Sequence, residues 1–463
     1  MSATSPLGAT PNSGALELRR SPLDIRRTLP GVRVGLLGLA GLIVTGLVIS
    51  IAAAGTNALL PESIRPVPSS LAGPFGSTGL DLGTGGVIVV LLAMLASYVV
   101  AVKAADRLSA RAVLMTIAAL HALVLLAPPL LSTDVFSYQA YARMGAVYGT
   151  NPYLFGPHAI ALDPLFPFVG AKWSYIPTAY GPVFTALSYV LAPLSIAASA
   201  LAYKAIAVLA SLATVVLVWN AARLRGVDPV RAVALVGLNP LVVVYGVGGG
   251  HNDLLMLAAV IGGVYLMLAH RERTAGAAIM VAVALKLTAG LMLPFALAGG
   301  ARRGARSRRV EVAIGAAIVA AVLTIPTLAL FGTGPIRMLS TLKTTQDEGD
   351  WMSIPGFIST RLGLGTIGHA VGIALGSIFV ILCCWLVIKA WRGQIDWIDG
   401  AGWATLAMIV TAGALLPWYV AWLMPLAALA TDRRLWRNAV ALTVVIQCIQ
   451  LLGYIPHGSA LGL

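Results

Sequence analysis

Charged residues are scarce in this chain: they make up 10% of its 463 residues, whereas 59% are hydrophobic. Soluble domains are about one quarter charged, so this composition excludes a soluble globular protein. Apolar runs of about 18–25 residues recur along nearly the whole chain, and each can cross a hydrocarbon core of about 30 Å. The sequence therefore predicts an all-α, polytopic transmembrane helical bundle with about 11–13 spans, embedded in the plasma membrane.

Cysteines and cofactor motifs are equally sparse. The three cysteines lie inside apolar runs and form no CxxC pair, and the six histidines lack zinc-ligand spacing. The sequence has no G-x-x-x-x-G-K-[ST], no G-x-S-x-G and no G-x-G-x-x-G in a βαβ unit. These absences disfavour nucleotide-dependent enzymes, and we expect neither a cofactor nor a metal. The remaining chemistry draws its substrate from the membrane itself.

The net charge of +14 does not indicate nucleic-acid binding. Its arginines cluster in short segments between apolar runs, where the positive-inside rule places them on the cytoplasmic side. We predict that residues 1–30 form a disordered cytoplasmic tail and that residues 31–463 form a single transmembrane domain. With this orientation, Asp134 emerges on the outer face after the third apolar run.

Two stretches disagree with a simple alternation of spans. Residues 183–222 contain two apolar pieces broken around Pro193, and residues 274–299 are interrupted around Lys286. Counting every piece as a full span would place the following arginines outside. We therefore expect Val183–Leu194 to lie along the membrane or enter it only partly. We expect 274–299 to form two short helices with Lys286 near their apex, an arrangement tolerated where backbone lines a cavity.

The longest polar stretch runs from residue 131 to residue 182 and opens with Asp134. A carboxylate at the membrane boundary, surrounded by aromatic and cationic residues, suits a polar headgroup on a lipid tail. Tyr and Trp also collect at headgroup depth, so an interfacial connector is the alternative. The candidate residues of this outer loop are Tyr138, Arg143, Asn151, Tyr153, Asp163, Lys172 and Tyr180.

Several short segments resemble one family of membrane enzymes. The segments are 133–138 (TDVFSY), 149–153 (GTNPY), 180–182 (YGP), 250–253 (GHND), 284–288 (ALKLT) and 417–419 (PWY). In content and order they resemble the polyprenol-phosphomannose-dependent α-(1→6)-mannosyltransferases of actinobacteria, which build the mannan backbone of lipomannan and lipoarabinomannan. The resemblance covers nearly the whole chain.

The resemblance implies a fold, two substrates and a mechanism. The fold would be that of the C-type glycosyltransferases (GT-C), with short helices in the outer loops. The donor would be polyprenyl-phosphate mannose and the acceptor a lipid-anchored mannan. Asp134 matches the family's catalytic base, which takes the proton from an acceptor 6-hydroxyl during a single, inverting displacement. Cations on the outer side would bind the leaving phosphate, and the candidates are Arg143, Lys172, Arg337, Lys343 and Arg361.

Each candidate also has a structural interpretation. Asp134 could cap the following helix, and His251 and Asn252 could cap a span. Asp253 is costly in lipid and is expected to face the cavity, whereas Lys286 is expected to pair with backbone carbonyls. Trp418 and Tyr419 are interfacial anchors unless they contact substrate, and Trp351 could be a sugar platform. The acids Asp163, Asp347, Glu348 and Asp350 are expected to be solvated.

A transporter or flippase of a lipid-linked sugar is the competing function. Transporters often combine broken helices with internal repeats. The broken segment around Lys286 fits that pattern, but the two halves of the sequence show no repeat.

Overall fold

The computed structural model describes residues 22–300, 305–347 and 350–454, and within these ranges the chain is helical and has no β-strand. Of the predicted tail, residues 1–21 lie outside this description, and the first helix begins at Pro22. The helices are α1 (Pro22–Ala52), α2 (Gly83–Lys103), α3 (Ala110–Leu126), α4 (Asp134–Ala146), α5 (Pro182–Tyr189), α6 (Ile196–Arg225), α7 (Pro229–Gly237), α8 (Asp253–Leu268), α9 (Glu272–Leu285), α10 (Met292–Gly299), α11 (Ala305–Phe331), α12 (Met338–Asp347), α13 (Ile354–Gly356), α14 (Gly365–Trp391), α15 (Trp397–Thr411), α16 (Val420–Leu429) and α17 (Arg433–Leu452).

Six of these helices are long and apolar enough to cross a membrane: α1, α2, α6, α11, α14 and α17. A seventh candidate is α7 together with the π-helix Leu241–Val247, which meet at a bend of 47°. The described residues thus contain six or seven full candidate spans, fewer than the predicted 11–13, because that prediction also counts shorter apolar helices such as α3 and α8. The predicted all-α membrane architecture is confirmed.

The two irregular stretches, 183–222 and 274–299, contain the short helix and the helix break that the positions of the arginines predict. Helix α5 has eight residues, which is about 12 Å of helix and too short to cross the bilayer. The single span that follows is α6, where Ser195 accepts a hydrogen bond from the backbone N–H of Ala198 and Gly226 ends the helix with a φ of 70°. Between α9 and α10 the helix breaks at Lys286, followed by a 3₁₀ turn at Leu287–Leu291.

The core surrounds α7, the π-helix and α16, whose side chains are buried on nearly every face. A helix that is apolar all round is buried or lipid-exposed, and both kinds occur here. Helices α11 and α14 lie at the periphery: only 17% and 6% of the residues in their apolar windows are buried within the protein. The long peripheral helices therefore present apolar side chains to lipid.

Asn239 produces the bend between α7 and the π-helix. Pro240 has no N–H, and the Asn239 side-chain oxygen accepts hydrogen bonds from the amides of Leu241 (2.9 Å) and Val242 (3.3 Å). Its Nδ2 donates to the hydroxyl of Thr443 at 2.9 Å, which fixes the bend against α17. The π-helix then ends at Val247 and leads directly into residues 248–253, which bring His251 to within 3.1 Å of Asp134.

Candidate active site

A polar cavity of about 540 Å³ lies where the segment from residue 131 to residue 182 meets the ends of several helices. This volume is within the range of small-molecule sites. Its walls come from the loop after α1, the start of α4, residues 172–180, α12 and the 414–419 turn. Its charged lining residues are Glu62, Arg65, Asp134, Lys172, Lys286 and Asp350.

Asp134 is the first residue of α4, and its side chain is 14% exposed at the cavity wall. His251 Nδ1 lies 3.1 Å from Asp134 Oδ2, and the Tyr138 hydroxyl lies 3.4 Å from the same oxygen. Among the described residues, Oδ1 has no hydrogen-bond donor and no amide of α4 donates to the carboxylate. The interpretation of Asp134 as a helix cap therefore has no support. One of its carboxylate oxygens can accept a hydrogen bond from a hydroxyl group in the cavity.

The pKa of Asp134 lies below its ordinary value. Burial alone would raise this pKa, but the attraction and hydrogen bond of His251, the charge of Lys286 and a hydrogen bond with Ser132 together lower it. Its position in the first turn of α4 adds the favourable field of a helix N-terminus. Asp134 is therefore ionised at neutral pH and can accept a proton. Because an ionised carboxylate only accepts hydrogen bonds, Nδ1 of His251 carries the proton between them.

His251 reaches Asp134 from the turn that follows the π-helix. Gly250 precedes it with a φ of +68°, which favours glycine, and a Cβ there would lie 2.6 Å from Val135 Cγ1. The imidazole is completely buried and stacks on Trp418, with ring centroids 3.6 Å apart. Its Nε2 has no partner among the described residues. Trp418 therefore fixes the plane of the ring that holds Asp134.

Lys286 forms a second charged group at the break between α9 and α10. Its Nζ lies 2.7 Å from Asp253 Oδ1, and the same oxygen accepts a hydrogen bond from Trp422 Nε1 at 2.8 Å. The ammonium also faces the rings of Tyr419 and Trp422, at 5.6 and 5.4 Å from their centroids. Lys286 thus pairs with a carboxylate, and the expected pairing with backbone carbonyls is wrong. Asp253 is 1% exposed and does not line the polar cavity, so the expectation that it faces the cavity is wrong.

An apolar cavity of about 550 Å³ adjoins the polar one. Both cavities are lined by Lys286, Leu342, Gln346 and Tyr419. The wall formed by α14 consists largely of glycines spaced three or four residues apart, which lie on one face of that helix: Gly365, Gly368, Gly372 and Gly376. The ammonium of Lys286 therefore stands where a polar chamber meets an apolar groove beside a lipid-facing helix.

The structure brings many of the predicted residues together. Lys172, Tyr180, Trp351, Trp418 and Tyr419 line the polar cavity with Asp134. Directly behind this wall, Tyr138 receives a hydrogen bond from the amide of Asn252 (3.3 Å) and contacts the Asn252 side chain at 3.4 Å. Tyr138 and Asn252 therefore support the wall that carries Asp134 and His251.

Two other predicted residues join the outer loop to neighbouring elements. Asn151 donates to the carbonyl of Phe331 at 2.8 Å, and the Tyr153 hydroxyl donates to the carbonyl of Tyr180 at 2.8 Å. Neither lines the polar cavity. Lys343 and Arg361 also lie off its lining: Lys343 is exposed on α12, and Arg361 lies 4.8 Å from the centroid of the Trp351 ring.

Arg143 forms an ion pair away from the polar cavity. Its Nη2 lies 2.7 Å from Asp163 Oδ2, and the Tyr148 hydroxyl donates to the same oxygen at 2.7 Å. The expectation that Asp163 is a solvated loop charge is wrong, because its side chain is 1% exposed. Burial raises the pKa of Asp163, but its hydrogen bonds to Arg143, the Leu165 amide and Tyr148 lower it below its ordinary value.

Sequence reasoning missed three charged residues of the cavity: Glu62, Arg65 and Asp350. Arg65 and Glu62 follow α1 in the loop that the arginine pattern places outside, so the same topology could have nominated them. Asp350 was expected to be solvated, but burial raises its pKa. Glu348 and the side chain of Asp347 lie outside the description. Within the described ranges, no group of three or more His, Cys, Asp or Glu is placed to hold a metal ion.

Comparison with known proteins gives two family matches. A family model described as "Alpha-(1->6)-mannopyranosyltransferase, N-terminal domain" matches residues 32–302, and "MptB C-terminal domain" matches residues 353–462. A probable α-(1→6)-mannopyranosyltransferase of Mycolicibacterium smegmatis is 27% identical, over 92% of this chain and 84% of its own length. α-(1→6)-Mannopyranosyltransferase A of Mycobacterium tuberculosis is 29% identical over 72% of this chain and 68% of its own. α-(1→6)-Mannopyranosyltransferase B of Corynebacterium glutamicum is 27% identical over 73% of this chain and 61% of its own. No solved structure matches the chain.

Proposed function

Because the chain belongs to the α-(1→6)-mannopyranosyltransferase family, we propose that it transfers mannose from polyprenyl-phosphate mannose to the 6-hydroxyl of a lipid-anchored α-mannan. The transfer inverts the anomeric carbon and extends the backbone of lipomannan and lipoarabinomannan. The observation that carries the proposal is the junction at Lys286, where the polar cavity containing Asp134 meets the apolar cavity along α14. An amphipathic donor needs such a pair of adjoining spaces.

The donor phosphate lies at this junction. Lys286 supplies a positive charge there, and Lys172 and Arg65 line the polar side of the same space. Asp253 holds Lys286 in place through their 2.7 Å contact, and aromatic rings on α16 and the preceding turn flank the ammonium. The sugar extends into the polar cavity and the polyprenyl chain follows the glycine face of α14.

Asp134 acts as the base. The acceptor O6 attacks the anomeric carbon, its proton passes to Asp134 Oδ1, and the bond from that carbon to the phosphate oxygen breaks. The departing polyprenyl phosphate keeps the bonding electron pair and gains negative charge, which Lys286 stabilises. Because the attacking and departing oxygens lie on opposite sides of the carbon, a single displacement inverts its configuration.

The proposed orientation places this chemistry on the outer face. The N-terminus and the arginines between spans lie in the cytoplasm, as the positive-inside rule requires. Asp134, His251 and Trp418 form one contiguous cluster, so all three share whichever face Asp134 occupies. A position at the outer leaflet gives the site access to a lipid-linked donor and a growing glycan.

The test uses purified protein in detergent with polyprenyl-phosphate mannose and a short α-mannoside. We expect consumption of the donor without vesicles and a product whose new linkage is α-(1→6), measured by NMR of the anomeric proton. A transporter would leave the donor intact in detergent. Donor consumption in the absence of any mannosylated product would also contradict the proposal.

A further inference from the structure

Lys204 is a buried cation that the proposed mechanism does not use. It lies within α6, one of the candidate spans, and is 2% exposed. No carboxylate of the described residues lies within 4.0 Å of its ammonium. An ionisable group inside a membrane span is costly, so such a residue is a candidate for a functional role.

The ammonium of Lys204 binds the backbone that leads to Asp134. It donates to the carbonyl oxygens of Ala127 and Pro128, the latter at 3.1 Å. Residues 128 and 129 are both prolines, so this stretch has no N–H groups with which to close a turn. The two carbonyls would remain unsatisfied in an apolar interior without Lys204.

The rest of the 127–131 segment is held by neighbouring loops. The amide of Leu130 donates to the carbonyl of Gly248 (3.0 Å), and that of Leu131 donates to the carbonyl of Leu59 (3.1 Å). Leu131 has a φ of 58°, a strained conformation for a side-chain-bearing residue that persists only where the surroundings impose it. Asp134 follows three residues later. The segment that leads to the base is therefore both strained and held by hydrogen bonds.

The stem of Lys204 packs beside Gly250, the residue before His251. A Cβ placed on Gly250 would lie 3.3 Å from Lys204 Cγ, so this glycine packs directly against the lysine. His251 is the next residue. One side chain therefore touches both the segment that precedes Asp134 and the segment that precedes His251.

We propose that Lys204 is a positioning residue that sets the Asp134–His251 geometry by holding segments 127–131 and 248–251 against each other. Its kinetic consequence rests on the proposed function, whereas its structural consequence does not. The charge matters as well as the bulk, because an ammonium bound to two carbonyls makes charge-assisted hydrogen bonds. Removing the charge loosens the position of Asp134 relative to His251, although Lys204 itself does not contact substrate.

The test compares the wild type with Lys204→Met, which keeps an unbranched apolar stem and removes the donors. We expect kcat to fall by about 10–100-fold while the KM for the donor changes by less than about threefold, since misplacement by about 1 Å can cost 10²-fold. Hydrogen exchange measured by mass spectrometry should show faster exchange at the amides of Leu130 and Leu131.

Ser211→Ala is the matched control. Ser211 lies on the same helix, two turns further along, and its hydroxyl lies 2.8 Å from His121 Nε2 on α3. This variant also removes a buried polar contact between α3 and α6, so its melting temperature should fall. Its kcat and its exchange at residues 130 and 131 should remain at wild-type values. Equal losses of kcat in the two variants would reduce Lys204 to a general stabiliser of this helix pair and overturn the proposal.

Lys204→Gln provides a second variant if the methionine protein does not fold. Glutamine keeps amide donors but loses the charge. We expect its kcat, and the exchange of the amides of residues 130 and 131, to lie between the values of the wild type and those of a variant that lacks the contact. Wild-type kcat and exchange in the glutamine variant would overturn the proposal. Asp134→Asn belongs in the same series: its full activity would end the assignment of Asp134 as the base. A wild type that transfers no mannose would sink the proposed function, while the exchange measurement would still decide the positioning role of Lys204.

Discussion

The two oxygens of Asp134 have different surroundings: one is held by hydrogen bonds, and the other is expected to accept the proton. Oδ2 is engaged by His251 and Tyr138, while Oδ1 has no hydrogen-bond donor among the described residues. Asp134→Asn preserves the shape and removes the proton acceptor. We expect kcat to fall by about 10²–10⁴-fold, the usual effect of losing a general base, with donor binding retained. Transfer rate and donor binding measured in one detergent check this, and a fully active asparagine variant would end the assignment.

The lowered pKa of Asp134 predicts the acid limb of the pH–rate profile. A carboxyl with a depressed pKa stays ionised as pH falls through its ordinary value near 4, and activity is lost only at lower pH. His251 contributes much of this depression, and burial opposes it. His251→Gln should therefore raise the pKa of Asp134 and move the acid limb of kcat/KM to higher pH. An acid limb that does not move, in a variant with reduced activity, would show that His251 does not control the protonation of Asp134.

Arg143 is expected to matter for stability. It pairs with Asp163, which is 1% exposed, so Arg143→Gln leaves a buried carboxylate without its cation. Breaking such a pair costs about 3–5 kcal/mol, whereas the donor KM should stay unchanged because the pair lies off the cavity lining. Thermal unfolding and kinetics together check this, with Lys343→Gln on exposed α12 as the control. A raised KM with unchanged stability would instead make Arg143 a phosphate ligand.

The same pair has a defined pH dependence. The pKa of Asp163 is lowered in the folded protein, so its stabilisation is fully present above the unfolded value near 4 and is lost as pH falls through the folded value. We expect the difference in melting temperature between wild type and Arg143→Gln to be constant from pH 7 to pH 5. A difference that shrinks within that window would contradict the depressed pKa.

At the scale of elements, α14 offers the most direct test of the lipid groove. A Cβ on Gly376 meets no atom within 4 Å, so Gly376→Leu has room for its Cβ and adds apolar bulk at the lining of the apolar cavity. We expect a raised KM for a long polyprenyl donor and little change for a donor with a short tail. Ser377→Leu adds the same side chain one residue later, at an exposed position off the cavity lining, and should change neither. Equal changes in KM for the long and the short donor would show that the polyprenyl chain does not lie in this cavity.

The elements differ in how far their sequence determines them. The positions of the arginines predicted the short α5 and the break at Lys286, because charge placement limits how many spans can intervene. The bend has a local origin in Asn239 and Pro240, but its attachment to α17 was not predictable, since it depends on Thr443, about 200 residues away in the chain. The Lys286–Asp253 pair joins two separate helices in the same way. Lys204 is visible in the sequence as a single lysine within an apolar run, but neither the motifs nor the pattern of spans assigned a role to it.

For the whole molecule, the central prediction is topological. Leu162 is fully exposed in the outer loop, and Arg434 is exposed at the start of α17, on the predicted cytoplasmic side. In a background in which Cys383, Cys384 and Cys448 are replaced by Ser, Leu162→Cys should react with a membrane-impermeant thiol reagent in intact cells. Arg434→Cys should react only after permeabilisation. The reverse pattern would invert the proposed orientation.

The class of the molecule and its catalytic candidate could be read from the sequence, whereas the composition of the cavity could not. Apolar run length alone predicted an all-helical membrane protein, and Asp134 stood out at the end of one run. Contacts such as His251 on Trp418 join residues 167 positions apart. No local pattern encodes that separation, and only packing of the π-helix against the 417–419 turn brings the two rings together.

The break at Lys286 has a consequence for turnover. Under the proposed function, the two products separate into different phases: the spent polyprenyl phosphate diffuses laterally within the leaflet along α14, and the elongated glycan withdraws into water. Neither product has to pass through the exit of the other. The rate of clearing the site then depends on the viscosity of the bilayer on one side and on the length of the glycan on the other.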